Sequence, residues 1–497
     1  MPKLSTLLFL MGTFLAATNC LADDQQVQII FAANMQNIAN SDQGNYSRLS
    51  SLLNQQRQIQ ENNSIFVFGG GSLGPSPMAG FDRGSHIVDI LNSLEPDLMT
   101  VRKREFSYYE DELSLRSDEA AFPLVASNII DPLTSGNIEG LYNNVIINKN
   151  GHKVGFLSIL EEELVQEYLL NRVKVFESQT IVEGQAKKLR RQGADFVVMV
   201  FSKKHAFYKE LLDSGLINIA IRARSDRDNA NLNTLTHPNI FSITDDDRAL
   251  LLNITWSASK PDDPTVTSQE VLLNEYPEDP LVSMQINEYN HRLDRLLNQT
   301  IGQLNVPIDT SRELVRTQEN AFANFVTDTL REYYQADVAF INGGSIRGNK
   351  KYIANTILTR RDIATELPYR NRVTRASATG EQIRQALEHG VSEVELIRGR
   401  FLHVSGLSYS FSSTQPSGNR VTNIKINGMP IDLNKRYLVA TDDYLANGGD
   451  GFDSLSNKLD STSSNTALPL ISDIVILNIQ KLGKIAPLIE SRVVRLD

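Results

Sequence analysis

Three short runs in the second half of the chain combine residue types that can hold a ligand. Asn342-Gly343-Gly344-Ser345-Ile346-Arg347 follows the predicted strand Ala339 to Asn342. Its glycines let a backbone turn approach a ligand closely, and Arg347 offers a planar, permanently charged fork for a phosphate or carboxylate. Leu367-Pro368-Tyr369 sets an aromatic ring after a rigid turn, and Asn447-Gly448-Gly449-Asp450-Gly451-Phe452 ends a glycine-rich loop on another ring. Two such rings suit a flat ligand. Taken singly, the three runs also read as a strand-end turn, a core tyrosine and a tight loop with a buried anchor.

Cations cluster at three places in the first half: Arg102, Lys103 and Arg104; Lys203 and Lys204; Arg222 and Arg224. If the fold brings these loops together, fixed guanidinium and ammonium groups make a candidate anion site. Soluble charged loops are the plainer reading. The seven histidines, His86, His152, His205, His237, His291, His389 and His403, read as surface or hydrogen-bonded core side chains. The one cysteine, Cys20, excludes a disulfide framework and any multi-cysteine metal site.

The elements that must position these residues are an alternation of short apolar runs and helical patterns. Strands are predicted at Val27 to Ala33, Ser64 to Phe68, Val145 to Ile147, Val154 to Leu160 and Phe196 to Phe201. Helices are predicted at Leu49 to Gln60, Ile87 to Leu94 and Thr180 to Gln192. Such alternation implies layered α/β architecture. After Pro277 to Pro280, a polar amphipathic helix is expected from Leu281 to Gln299, serving as a connector or packing on one half. A second α/β segment follows, with helices Ala321 to Tyr334 and Gly380 to His389. Its later strands are Leu407 to Phe411, Val421 to Ile426 and Tyr437 to Thr441.

A chain of 497 residues exceeds one hydrophobic core, so two or more domains are expected. With 41% hydrophobic and 22% charged residues it is ordinary globular material. A net charge of −10 argues against a nucleic-acid binder. Residues 1–22 read as a signal peptide: Lys3 precedes the apolar run Leu7 to Ala17, and Cys20-Leu21-Ala22 puts small residues before Asp23. Lipidation of Cys20 is the weaker alternative, because Asn19 departs from the small residue usual there. No later run is long and apolar enough to span a membrane. A periplasmic or secreted location is expected.

In their order and spacing the three C-terminal runs resemble the 5′-nucleotidase family, the secreted or periplasmic nucleotidases and UDP-sugar hydrolases. Arg316 with Glu319, Asp337, Thr379-Gly380, Val404-Ser405-Gly406-Leu407 and Tyr444-Leu445-Ala446-Asn447 agree with that pattern, over about residues 300 to 460. The resemblance implies a substrate-binding C-terminal domain in which Arg316, Asn342, Gly344 and Arg347 contact the ligand. It also implies a base held between Tyr369, usually Phe in the family, and Phe452. Stacking of this kind contributes about 1–3 kcal/mol and tolerates any base.

The same family begins with a calcineurin-like metallophosphoesterase domain holding two divalent metal ions. Residues 27 to 230 resemble its frame but not its ligands. By resemblance the DxH slot holds Asn34 and Gln36, and the GD slot ends on Gly71. In Thr100-Val101-Arg102-Lys103-Arg104-Glu105-Phe106-Ser107, Lys103 replaces an Asn ligand, Arg104 the catalytic His, and Ser107 its Asp partner. Ser202 or Lys203 stands at a ligand His, and Arg222 to Asp226 replaces GHxH, with Arg224 and Asp226 in ligand slots. Two-metal chemistry needs carboxylate, imidazole or amide oxygen donors.

The expectation is therefore a signal peptide at 1–22, a metallophosphoesterase-like domain at 23–276 with lost metal motifs, a linker helix at 277–300 and a substrate-binding domain at 301–497. The chain is read as an exported nucleotide- or nucleoside-binding pseudoenzyme. No catalytic residue and no metal cofactor are expected. Lys103, Arg104, Arg222 and Arg224 are candidate anion-binding residues, and a protein partner of unspecified kind is one role such a chain could serve. Two alternatives stay open: an active 5′-nucleotidase or UDP-sugar hydrolase, and a structural or interaction protein.

Overall fold

The computed structural model describes residues 25–38, 45–61, 63–170, 172–223, 237–243, 245–257, 259–456 and 468–497. The expected signal peptide, Arg224 and Asp226 lie outside the described residues.

The first half is built on two sheets. One runs in the order Lys260–Leu272, Arg248–Ser257, Gln25–Ala32, Ser64–Phe68, Leu98–Thr100, Leu124–Val125, Leu141–Tyr142. The other runs Ile240–Ile243, Ile219–Ala223, Phe196–Phe201, His152–Ile159, Val145–Lys149. Side chains alternate across a strand, so Gln25–Ala32 serves two cores at once. Val27, Ile29 and Phe31 meet Phe156, Phe196, Val198 and Ile219 between the sheets. Ile30 and Ala32 face the opposite way, onto Leu49, Leu52 and Leu53 of the helix Tyr46–Ile59. The helix Gln179–Arg191 covers the far face of the second sheet with Val182, Ala186 and Leu189. The result is a sheet-on-sheet sandwich with helices outside it.

The second half holds a four-stranded sheet in the order Val373–Thr379, Arg436–Asp442, Val338–Asn342, Leu402–Ser405. The helix Ala321–Tyr334 packs on it, started by Asn320, whose side chain accepts from the backbone N–H groups of Phe322 and Ala323. On the other face lies the helix Gly380–Val391, which begins with a Thr379–Gln382 capping box.

The connector is the helix Pro280–Leu297. Asp279 accepts from the N–H groups of Leu281 and Val282, and Pro280 occupies the first turn, where its missing N–H costs nothing. Its two ends pack differently. Val282 and Ile286 join the core of the first half, while Leu293 and Leu297 meet Met78, with Ala364 beside them. An Asp294–Arg361 ion pair adds a second tie to the later half. The helix thus packs on both halves.

Candidate functional site

Strands Gln25–Ala32, Ser64–Phe68 and Leu98–Thr100 run parallel, as do His152–Ile159, Phe196–Phe201 and Ile219–Ala223. Parallel strands deliver the loops after their carboxyl ends to one edge. The positions expected to have held metal gather there. Their contacts are of a different kind. Arg102 Nη1 donates to Asn34 Oδ1 at 2.6 Å, and Arg102 Nε donates to Ser202 Oγ at 3.0 Å. Gln36 Nε2 donates to the carbonyls of Gly71 and Gly74. Gly71 has φ +75°, and a Cβ there would stand 3.0 Å from Arg102 Nη1. Glu105, buried beneath, accepts from the N–H groups of Gly71, Ser72, Leu73 and Arg102. Its carboxylate is spent on holding the loop.

The set does not fit a dinuclear metal centre. Gly71 brings no donor, Lys103 brings an ammonium, and the oxygens of Asn34 and Ser202 already accept from a guanidinium. Among the described residues no three His, Cys, Asp or Glu side chains are grouped as a metal ion would require.

The expectation of a cationic anion site is corrected to this extent: its cations among the described residues already have partners. Lys103 pairs with Glu167 at 3.5 Å, and Lys203 pairs with Glu163 and with Glu177 at 3.1 Å. Arg222 Nε donates to the Ser202 carbonyl at 3.0 Å. Arg104 lies in the 3₁₀ turn Lys103–Phe106, where Ser107 Oγ donates to its carbonyl. Its charge acts on Asp246, whose carboxyl burial holds above the ordinary range. Lys103 and Lys203 thus pair with carboxylates on neighbouring turns, which the spacing of the cations alone does not reveal.

In the second half, the strand Val338–Asn342 and the 3₁₀ turn Gly343–Ser345 position the first run. Gly344 N–H donates to the Gly399 carbonyl at 2.7 Å, and a Cβ at Gly344 would lie 3.2 Å from Gly399. Asn342 Nδ2 donates to Asp450 Oδ2 at 2.8 Å. Arg316 and Arg347 line one small cavity together with Thr310, Arg312, Ile346 and Asn349. The guanidinium of Arg347 stands 5.6 Å from the centre of the Tyr369 ring. Arg312 was not singled out from sequence. Its place four residues before Arg316 on the helix Arg312–Thr317, hence on the same face, is the cue that finds it.

Glu319 and Asn324 hold structure instead. Asn324 Nδ2 donates to Glu319 Oε1, which also accepts from Glu490 N–H and so ties the helix Ala321–Tyr334 to the C-terminal segment.

The expectation that Phe452 presents its ring is corrected as well. It is 1% exposed and packs edge-on against His389, ring centres 4.8 Å apart. Among the described residues no ring contact joins it to Tyr369. Left-handed Gly448, Asp450 and Gly451 curl the loop inward, and His389 Nε2, 2.8 Å from the Asp450 carbonyl, holds the curl. The turn Glu163–Glu167 of the first half lies against the Gly449–Gly451 turn. The Tyr444 hydroxyl is within hydrogen-bond distance of both the Glu167 carbonyl and Asp450 Oδ1. Burial pushes the hydroxyls of Tyr108, Tyr168 and Tyr444 well above their ordinary range, and all three have Tyr369 as an electrostatic neighbour. The first half therefore closes over the ring-bearing loops of the second.

Residues 300–457 match the family described as 5′-nucleotidase, C-terminal domain. A trifunctional nucleotide phosphoesterase of Bacillus subtilis is 32% identical over 44% of this chain, which spans only 15% of that protein. A snake venom 5′-nucleotidase of Naja atra is 25% identical over 83% of this chain and 85% of its own length. Among solved structures, a 5′-nucleotidase precursor from Thermus thermophilus superposes with a TM-score of 0.75 at 19% identity, covering 95% of this chain and 99% of that one. The shared fold is that of two-domain 5′-nucleotidases, a calcineurin-like half followed by the C-terminal domain, and residues 300–457 carry the 5′-nucleotidase C-terminal domain.

Proposed function

We propose that the chain is an exported member of this family that binds a nucleotide or nucleoside through its C-terminal half and does not hydrolyse it by two-metal chemistry. The observation that carries the reading is the contrast between the two sites. Arg316 and Arg347 face one cavity beside Tyr369, whereas Arg102 fills the space where Gly71 would need a carboxylate. Guanidinium forks suit a phosphate, and the Tyr369 face suits a base. Asn342, on the strand that leads into the same run as Arg347, is hydrogen-bonded to Asp450. Export is supported by the signal-like residues 1–22, by the venom relatives, and by the lack, among the described residues, of a helix able to cross a membrane.

Thermal unfolding with AMP, adenosine and a UDP-sugar, each with and without manganese or zinc, tests this. The expected result is a rise in Tm with ligand that does not require metal and is lost in Arg347→Ala. Absence of any shift at millimolar ligand sinks the binding reading. Stoichiometric phosphate release with metal, from protein free of contaminating nucleotidase, sinks the pseudoenzyme reading.

A further inference from the structure

A guanidinium sits among the strand-end loops where the family resemblance places two metal ions. Arg102 is 8% exposed. Its side chain reaches Asn34 Oδ1 after one strand of the first sheet and Ser202 Oγ after a strand of the second. Its own N–H shares the Glu105 carboxylate with Gly71. One side chain therefore joins loops from both sheets. A Cβ at Gly71 would lie 2.7 Å from Asn34 Oδ1 and 3.0 Å from Arg102 Nη1. A side chain at 71 would strain the φ +75° backbone and force Asn34 and Arg102 to shift from their present places.

We propose that Arg102 is a built-in cation that takes over the structural part of the lost metal centre, tying the two sheets together at their carboxyl edge and closing that edge to divalent ions. The chemistry of the surrounding groups supports the exchange. A metal centre gathers anionic and amide oxygens around two dications. Here Asn34 Oδ1 and Ser202 Oγ are neutral acceptors, and a single permanently charged donor satisfies both. Ser202 is buried and Asn34 half-buried, and acceptors shielded from water must find donors. A dication brought to the same place would meet a fixed positive charge. Asn34 holds φ +67°, a left-handed backbone that Asn tolerates better than most residues, and this aims its side chain at the guanidinium.

The inference rests on the reading that metal is lost, and not on nucleotide binding. Its test therefore uses the full chain without nucleotide. Arg102→Met should lower Tm by about 5 °C or more. Asn34→Asp should leave Tm unchanged or raise it in the wild-type background, because the new carboxylate pairs with Arg102. In the Arg102→Met background the same change should lower Tm, because the carboxylate is then buried without its partner. Wild-type Tm should not respond to EDTA, manganese or zinc. An unchanged Tm in Arg102→Met overturns the tie. If that variant does not fold, a fall in Tm for Asn34→Asp alone overturns it. A metal-dependent rise in wild-type Tm overturns the closure to divalent ions, and with it the metal-free reading, while leaving nucleotide binding to its own test.

Discussion

Phe452 shows how far a residue's type can be separated from its use. A ring after a glycine loop reads as a surface for a flat ligand, yet here it is a core residue packed on His389. Truncating a buried Phe typically costs about 3–5 kcal/mol, through lost burial and the cavity left behind. Phe452→Ala should therefore lower the denaturation midpoint strongly whether or not adenosine is present. A variant with wild-type stability and weakened adenosine binding would instead return the ring to the ligand. Glu105 makes the opposite point. An acid inside a cationic run looks like chemistry, but its carboxylate is fully used by four backbone N–H groups.

At the scale of elements, much of the fold is legible in the sequence where one signal dominates. The strand Leu407–Phe411 and the helix Ala321–Tyr334 fall where the alternation and the helical period put them. The helix Ile471–Leu482 and the long hairpin Arg248–Ser257 with Lys260–Leu272 were not anticipated. Ile474-Val475-Ile476-Leu477 is an apolar β-branched run whose period does not distinguish strand from helix. The candidate site was legible as a set of positions but not as contacts, because Arg102–Asn34 and Lys103–Glu167 join residues far apart in sequence. One contact at the end of the helix Arg360–Glu366 has a pH consequence. Glu366 is 1% exposed, and its Oε1 accepts from Thr310 and Tyr352. Burial raises its carboxyl to about 7, against the pull of those hydrogen bonds, the Gly348 backbone and the Lys350 charge. Asp442 is likewise raised to about 7 by burial, with Asp443 and Asp450 adding to the effect. An acid raised in the folded state lends stability below its unfolded value, lost as pH rises through the folded one. His403, lowered to about 4 by burial, acts in the other direction, losing stability as pH falls from about 6.5 toward 4. Above pH 6.5 the two acids lower Tm, an effect that His152, His389 and His403, all lowered by burial, partly offset, so the share of the acids is a fall in Tm between pH 6.5 and 8. Glu366→Gln should flatten that fall by roughly half. An equal slope in wild type and variant would contradict the raised carboxyl.

The whole molecule couples its two halves through the turn Glu163–Glu167. That turn touches the Gly449–Gly451 loop, pairs with Lys103 through Glu167, and offers its Glu167 carbonyl to Tyr444. Phe452 lies buried behind the same loop, and Tyr369 has Tyr108 and Tyr168 from the first half near it. A nucleoside that stacks on the Tyr369 ring must bind a more open arrangement, so its apparent affinity is reduced by the fraction of molecules that are open. Tyr444→Phe removes the hydroxyl that reaches across. One buried hydrogen bond contributes about 1 kcal/mol, which corresponds to roughly fivefold in an opening equilibrium. Tyr444→Phe should therefore bind adenosine about three- to fivefold more tightly by calorimetry, with little change in the Arg347-dependent part of the affinity. The hydroxyl also accepts from Asp450 N–H at 3.0 Å, so some loosening of the loop itself is expected, read as a small fall in Tm without ligand. Weaker adenosine binding in Tyr444→Phe would show that the contact shapes the site and does not hold it shut.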